Sequence, residues 1–231
     1  MEIIYGKNPI KEAIAAESRK FFEIMISREN ADDITSLVRK IPVHTLSKQE
    51  LDRISKTRFH QGIVAKVSRY RYANLNSLFD LPVVVLLDSV EDPQNLGAII
   101  RSAYALAEAG IIIPENRAAG ITPAVVKASA GATEHAKIAR VTNLRMAAKE
   151  LKKAGYWIVG LDAGSTVPLR EIPSYDKTAL LLGGEDAGIR TGMEKEVDVL
   201  AHIPMKGIFN SLNVSNSAAI GMYELISRPH R

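Results

Sequence analysis

A chain of 231 residues, 46% hydrophobic and 24% charged with a net charge of +4, has the makings of a soluble globular protein of one large or two small domains. It has no cysteine, which excludes disulfides and thiolate metal sites, and its five histidines lack metal-binding spacing, so no metal is expected. The opening MEIIYGKNPIKEAIAAE lacks the apolar core of a signal peptide, and the longest apolar run, Val83 to Leu87, is too short for a bilayer, so a cytoplasmic protein without a membrane segment is expected.

In chain order, Asn8 followed by Pro9 predicts a capped helix. Phe21 to Ile26 reads as a strand, Asp33 to Lys40 as a helix and Val43 to Thr45 as a short strand. Ser47 and Glu50 are spaced as a capping box that opens another helix, and Gly62 to Val67 reads as a strand. Residues 1–72 thus form a small α/β module, and 73–81 read as a linker because their periodicity is weak. From residue 82 to 231, strands and helices alternate. The strands are Val83–Asp88, Gly110–Pro114, Ala136–Val141, Tyr156–Leu161, Thr178–Leu182 and Val199–Ile203. The helices are Leu96–Glu108, Pro123–Ser129, Leu144–Ala154 and Asn216–Ser227. Apolar strands separated by amphipathic helices predict an α/β fold with a parallel sheet covered on both faces and a ligand site beyond the strands' carboxyl ends.

Charge is unevenly placed. Residues 1–72 carry a balance of +5, and the remainder −1. Between Arg53 and Arg71 lie six basic residues and no acid. Such a patch attracts a polyanion by counterion release, and Arg53, Lys56, Arg58, His60, Arg69 and Arg71 are the candidate contacts. A solvated surface fits the same pattern.

Three segments put polar or glycine residues directly after an apolar strand. In DSVEDPQNLGAIIR (88–101), Asn95 reads as a helix cap, and Arg101, six residues on, can reach a phosphate or an oxyanion. In LLLGGEDAGI (180–189), Gly183, Gly184 and Gly188 flank Glu185 and Asp186. Glycines there let a ligand approach the backbone, yet neither the dinucleotide fingerprint nor a P-loop is present. In IPMKGIFNSLNVSNSAAI (203–220), Ser211, Asn213, Ser215, Asn216 and Ser217 crowd ahead of the last helix. Taken singly, each segment also fits an ordinary cap or turn.

In this order, the three segments resemble the signature motifs of the SpoU (TrmH-like) class of RNA ribose methyltransferases, together with KASAGATEH (127–135) and Asn143-Leu144. YGKNPIKEAI (5–14) and HQGIVAKV (60–67) resemble the RNA-binding module of the subgroup that methylates a guanosine of 23S ribosomal RNA. The resemblance implies a homodimeric enzyme whose catalytic domain ends in a trefoil knot, with S-adenosylmethionine as cofactor. It places catalytic roles on Asn95, Arg101, Glu185, Ser211 and Asn213, and donor contacts at Leu161, Gly183, Gly184, Ile203, Met205 and Leu212. A transfer-RNA enzyme of the same class, and a silent RNA-binding protein on the same scaffold, are the alternatives. Removing residues 1–72 is expected to spare donor binding and weaken RNA methylation.

Overall fold

The computed structural model describes residues 1–30, 41–184, 188–208 and 211–227. The helix expected at 33–40 lies outside them. In chain order come β1 (Glu2–Tyr5), α1 (Lys7–Ala15), β2 (Phe21–Ile26), β3 (Val43–Thr45), α2 (Lys48–Ser55) and β4 (Ile63–Val67). Next are β5 (Val83–Asp88), α3 (Pro93–Ala107), β6 (Gly110–Pro114), α4 (Pro123–Ala128), β7 (Ile138–Val141) and α5 (Leu144–Lys153). The last are β8 (Trp157–Leu161), β9 (Thr178–Gly183), α6 (Thr191–Glu194), β10 (Val199–Ala201) and α7 (Val214–Ile226). Among the described residues, no helix is long and apolar enough to cross a membrane.

Two compact units result. The first holds Met1–Arg71 together with Ile121–His135, a stretch that the strand–helix alternation had left with the second. Its sheet runs β1-β4-β2-β3, antiparallel at β1/β4 and β4/β2 and parallel at β2/β3. β1 was not expected; Ile3, Ile4 and Tyr5 suit a strand, but four residues are too few to show a period, and pairing with β4 fixes them, as in Tyr5 opposite Val64. Helix α1 begins at Gly6, whose φ of 101° suits glycine; Asn8 is not its cap. Ser47 and Glu50 do form the capping box of α2.

A buried ion pair fastens residues 121–135 to this unit. Arg19 donates through Nε and Nη2 to the two carboxylate oxygens of Glu134, at 2.8 Å each. The side chains are 2% and 0% exposed. Ser18 adds a hydroxyl donor at 2.7 Å, and Glu2 takes the remaining Arg19 nitrogen at 3.0 Å. Charges this deeply buried persist only when their lone pairs and protons are satisfied, and this network satisfies them.

The second unit, Tyr72–Gly120 and Ala136–Arg231, is built on a six-stranded sheet of order β10-β8-β9-β5-β6-β7, parallel throughout. All six residues of β5 are buried, as a strand covered on both faces requires. The stretch 73–81 is no free linker. Ala73 bridges to Ala139, Leu78 is fully buried, and Tyr156 donates its hydroxyl proton to the carbonyls of Leu78 and Leu81. Burial pushes the Tyr156 hydroxyl up to about 12, which keeps it a donor. Its anchors fall at irregular spacings around a short 3-10 turn (Leu75–Leu78), so no period marks them in sequence.

Candidate active site

The carboxyl ends of β8, β9 and β10 lie level, with Leu161 opposite Leu182 on one side and Ala201 on the other. Beyond them opens a cleft of about 500 Å³. Leu161, Gly183, Gly184, Ile203, Met205 and Leu212 all line it, as do Ser211 and Asn213. A second cleft, about 540 Å³, lies beyond β6 and β7 and is lined by Arg117, Arg145 and Arg190. Composition rather than size separates the two: only the first combines glycine backbone, aliphatic walls and the polar run from Ser211.

The glycines are sterically required. A Cβ on Gly183 would sit 2.0 Å from the carbonyl carbon of Gly188, and one on Gly184 would sit 2.6 Å from the carbonyl oxygen of Ser89. Gly188, at φ 60°, returns its N–H to the carbonyl of Gly184 at 3.1 Å, closing the loop on itself. Gly183→Ala is therefore expected to weaken binding of a ligand in this cleft by more than about tenfold, about 1.4 kcal/mol, as titration calorimetry would measure. Unchanged affinity would separate the cleft from this loop.

A buried ion pair ties the same loop to β5. Asp88, with no side-chain exposure, accepts from Arg190 Nε at 2.7 Å, from its Nη2, and from its backbone N–H at 3.2 Å. The hydrogen bond to Asp88 raises the Arg190 pKa above its usual value. The motifs gave Arg190 no role; its signal was an arginine directly after the apolar Ile189 that closes a glycine loop.

Helices α3 and α7 pack against each other and bring the first and third polar segments together. Asn213 caps α7, its Oδ1 accepting the Ser215 N–H at 2.8 Å. The helix therefore starts two residues before the expected Asn216. The Asn213 Nδ2 donates to Asn95 Oδ1 at 3.0 Å. Asn95 is 8% exposed and lies inside α3 rather than at its cap; Asp92 is the cap, accepting from the Gln94 N–H at 3.0 Å. The Asp92-Pro93 pair puts proline at the first helical position, which outcompetes an asparagine three residues on. Ser211 is exposed at the cleft. Arg101 is exposed on α3 and is not among the lining residues. Glu185 lies outside the described residues.

Of the basic candidates in the first unit, Arg53, Lys56, Arg58, Arg69 and Arg71 are exposed. His60 is not: it is fully buried, its Nδ1 accepting the Gly62 N–H at 2.9 Å and its Nε2 donating to Asp52 at 2.8 Å. It is a structural residue and cannot touch RNA. Lys127, noted in the sequence only as the start of the 127–135 motif and not as a basic candidate, sits beside Gln61 in the same unit.

Comparison with known proteins adds to this geometry. Residues 82–223 match the model of the SpoU rRNA Methylase family, and residues 3–73 match that of RNA 2'-O ribose methyltransferase substrate binding. The protein named YacO of Bacillus subtilis (strain 168), assigned to the TrmH family of tRNA/rRNA methyltransferases, is 36% identical over 97% of this chain and 94% of its own length. The SpoU methyltransferase AviRb of Streptomyces viridochromogenes, solved with AdoMet, superposes with a TM-score of 0.82 at 25% identity, over 97% of this chain and 89% of that one. An AdoMet-bound rRNA methyltransferase from Sinorhizobium meliloti gives 0.81 at 25% identity, over 98% and 87%. With both halves matched and the polar segments meeting at the strands' carboxyl ends, the chain belongs to the SpoU (TrmH-like) family of RNA methyltransferases.

Proposed function

We propose that this enzyme uses S-adenosylmethionine to methylate a ribose 2′-hydroxyl in RNA, at a guanosine of 23S ribosomal RNA. The carrying observation is the Asn213–Asn95 hydrogen bond, which joins the first polar segment to the rim of a cleft walled by glycine backbone. The cleft suits this cofactor: aliphatic Leu161, Leu182, Ile203 and Leu212 offer contact to a flat adenine, and the crowded loop at Gly183 presents main chain where a side chain has no room. When bound, the cofactor supplies a methyl group activated by a sulfonium.

The protein's remaining task is to position the sugar and manage one proton. A guanidinium offers five donors and no acceptor, so Arg101 is no base. Its guanidinium would instead stabilise the negative charge that develops on the 2′-oxygen while holding the neighbouring phosphate. The proton leaves to phosphate, water or Glu185. Ser211 and Asn213 would orient sugar and donor, with Asn213 fixed by its bonds to Asn95 and Ser215.

A cytoplasmic homodimer belongs to the same reading. Ile220, Tyr223 and Ile226, spaced along one side of α7, are 38%, 60% and 38% exposed, an apolar stripe suited to a second copy. Sedimentation mass is the check. A return of the chain from β10, at the sheet edge, to α7 against α3 supports the knotted threading expected for such domains.

The test is to treat RNA from cells lacking the enzyme with protein and S-adenosylmethionine, then hydrolyse it in alkali. Cleavage needs a free 2′-hydroxyl, so a methylated position stands out as protected. One protected guanosine in 23S rRNA is expected. Protection in transfer RNA instead would favour the alternative substrate, and donor binding with no protected position would leave a silent RNA-binding scaffold.

A further inference from the structure

The first unit holds a separate cleft of about 350 Å³, lined by Ser27, Lys48, Arg58, Phe59, Gln61 and Lys127, with Glu29 as its acid. Phe59 is 76% exposed, the most exposed aromatic side chain among the described residues. A single exposed apolar side chain is common on protein surfaces; what surrounds this one sets it apart.

The turn carrying it is rigid. The Phe59 N–H donates to Thr57 Oγ1 at 3.2 Å, and the Ser55 hydroxyl proton is shared between the carbonyls of Leu51, at 2.7 Å, and Thr57, at 3.0 Å. Beyond it, Gln61 and Gly62 take φ values of 55° and 75°. The inward position is already filled by His60, locked between Asp52 and the Gly62 N–H. Phe59 is therefore held outward in advance of any ligand.

Its surroundings are cationic, with Arg58, Lys48 and Lys127 against one carboxylate. Lys127 Nζ lies 2.5 Å from Gln61 Oε1, and burial lowers its pKa. An ammonium has three donors, and this amide oxygen occupies one. Room for it depends on Gly6, where a Cβ would sit 2.6 Å from Nζ. An aromatic face beside phosphate-binding cations is the chemistry that grips unpaired nucleotides, whose bases have an open face to stack.

We propose that Phe59 is a stacking platform for one unpaired base of the RNA substrate, with Lys127 and Arg58 holding a flanking phosphate. The proposal rests on the RNA-methylating reading above. The full chain should be titrated with a labelled single-stranded 12-nucleotide RNA of mixed sequence and with its blunt duplex, reading anisotropy. Phe59→Ala is expected to weaken single-strand binding about tenfold. Phe59→Trp should restore it, and duplex and S-adenosylmethionine affinities should stay put. Lys127→Gln should flatten the salt dependence of single-strand binding by about 0.7 in log–log slope, which Phe59→Ala should not. Wild-type single-strand affinity in Phe59→Ala, or an equal loss toward the duplex, overturns the platform alone. A wild-type chain that binds S-adenosylmethionine but neither RNA overturns the platform and the RNA role of this unit together.

Discussion

Arg101→Ala is expected to slow single-turnover methyl transfer by about 10²–10³-fold, while S-adenosylmethionine affinity stays within about twofold. The size is that expected for removing one charged donor from developing negative charge, the role proposed for Arg101. The selectivity follows from position, since Arg101 is exposed on α3 and takes no part in lining the donor cleft. Arg101→Lys should recover only part of the rate, because an ammonium keeps the charge but loses the planar fork that serves a phosphate and a hydroxyl at once. A rapid-quench experiment with saturating RNA and donor gives the chemical step directly. An unaltered rate would take Arg101 out of the reaction.

The second large effect is on stability. Arg190→Met is expected to cost about 3 kcal/mol, because it leaves Asp88, fully buried, as an uncompensated charge. Arg190 itself is 37% exposed, which sets the cost at the lower end of the range for broken buried pairs. The pair also fixes the glycine loop, so donor affinity should fall with stability. Replacing both partners, Asp88→Leu with Arg190→Met, should recover much of the stability, since the desolvated carboxylate is then gone. Recovery of donor affinity need not follow, as the backbone N–H of Arg190 loses its acceptor. Denaturant titration of the variants decides this, and a single variant as stable as wild type would show that Asp88 finds other partners.

The alternation of apolar strands and amphipathic helices after residue 82 made the parallel sheet legible, because buried strands need continuous apolar runs and their boundaries fall at Gly, Pro and Asx residues. The capping box at Ser47 was legible for the same reason: its chemistry is local. Features set by distant partners were not. β1 depends on β4, about 60 residues away, and 73–81 depends on Tyr156. His60 stood in a run of exposed cations, and its partners, Asp52 eight residues back on α2 and the Gly62 N–H, show why it faces inward. At the site, the donor-contact positions came only through the resemblance of the motifs to a known family, and all six line one cleft. The pairing of Asn95 with Asn213, 118 residues apart, needed the packing of α3 on α7.

Because Ile121–His135 completes the first unit, that unit is discontinuous in the gene. Trimming the first 72 codons would not remove it cleanly. It would strand α4 with its apolar Val125 and Val126 uncovered and leave the Glu134 carboxylate without Arg19. A loss of methylation in such a fragment would then report aggregation as readily as lost recognition. A faithful dissection excises both stretches and bridges Gly120 to Ala136 with a short flexible insert. By the same logic, recombination at one crossover point cannot graft this unit whole onto another catalytic scaffold; both stretches must be exchanged together.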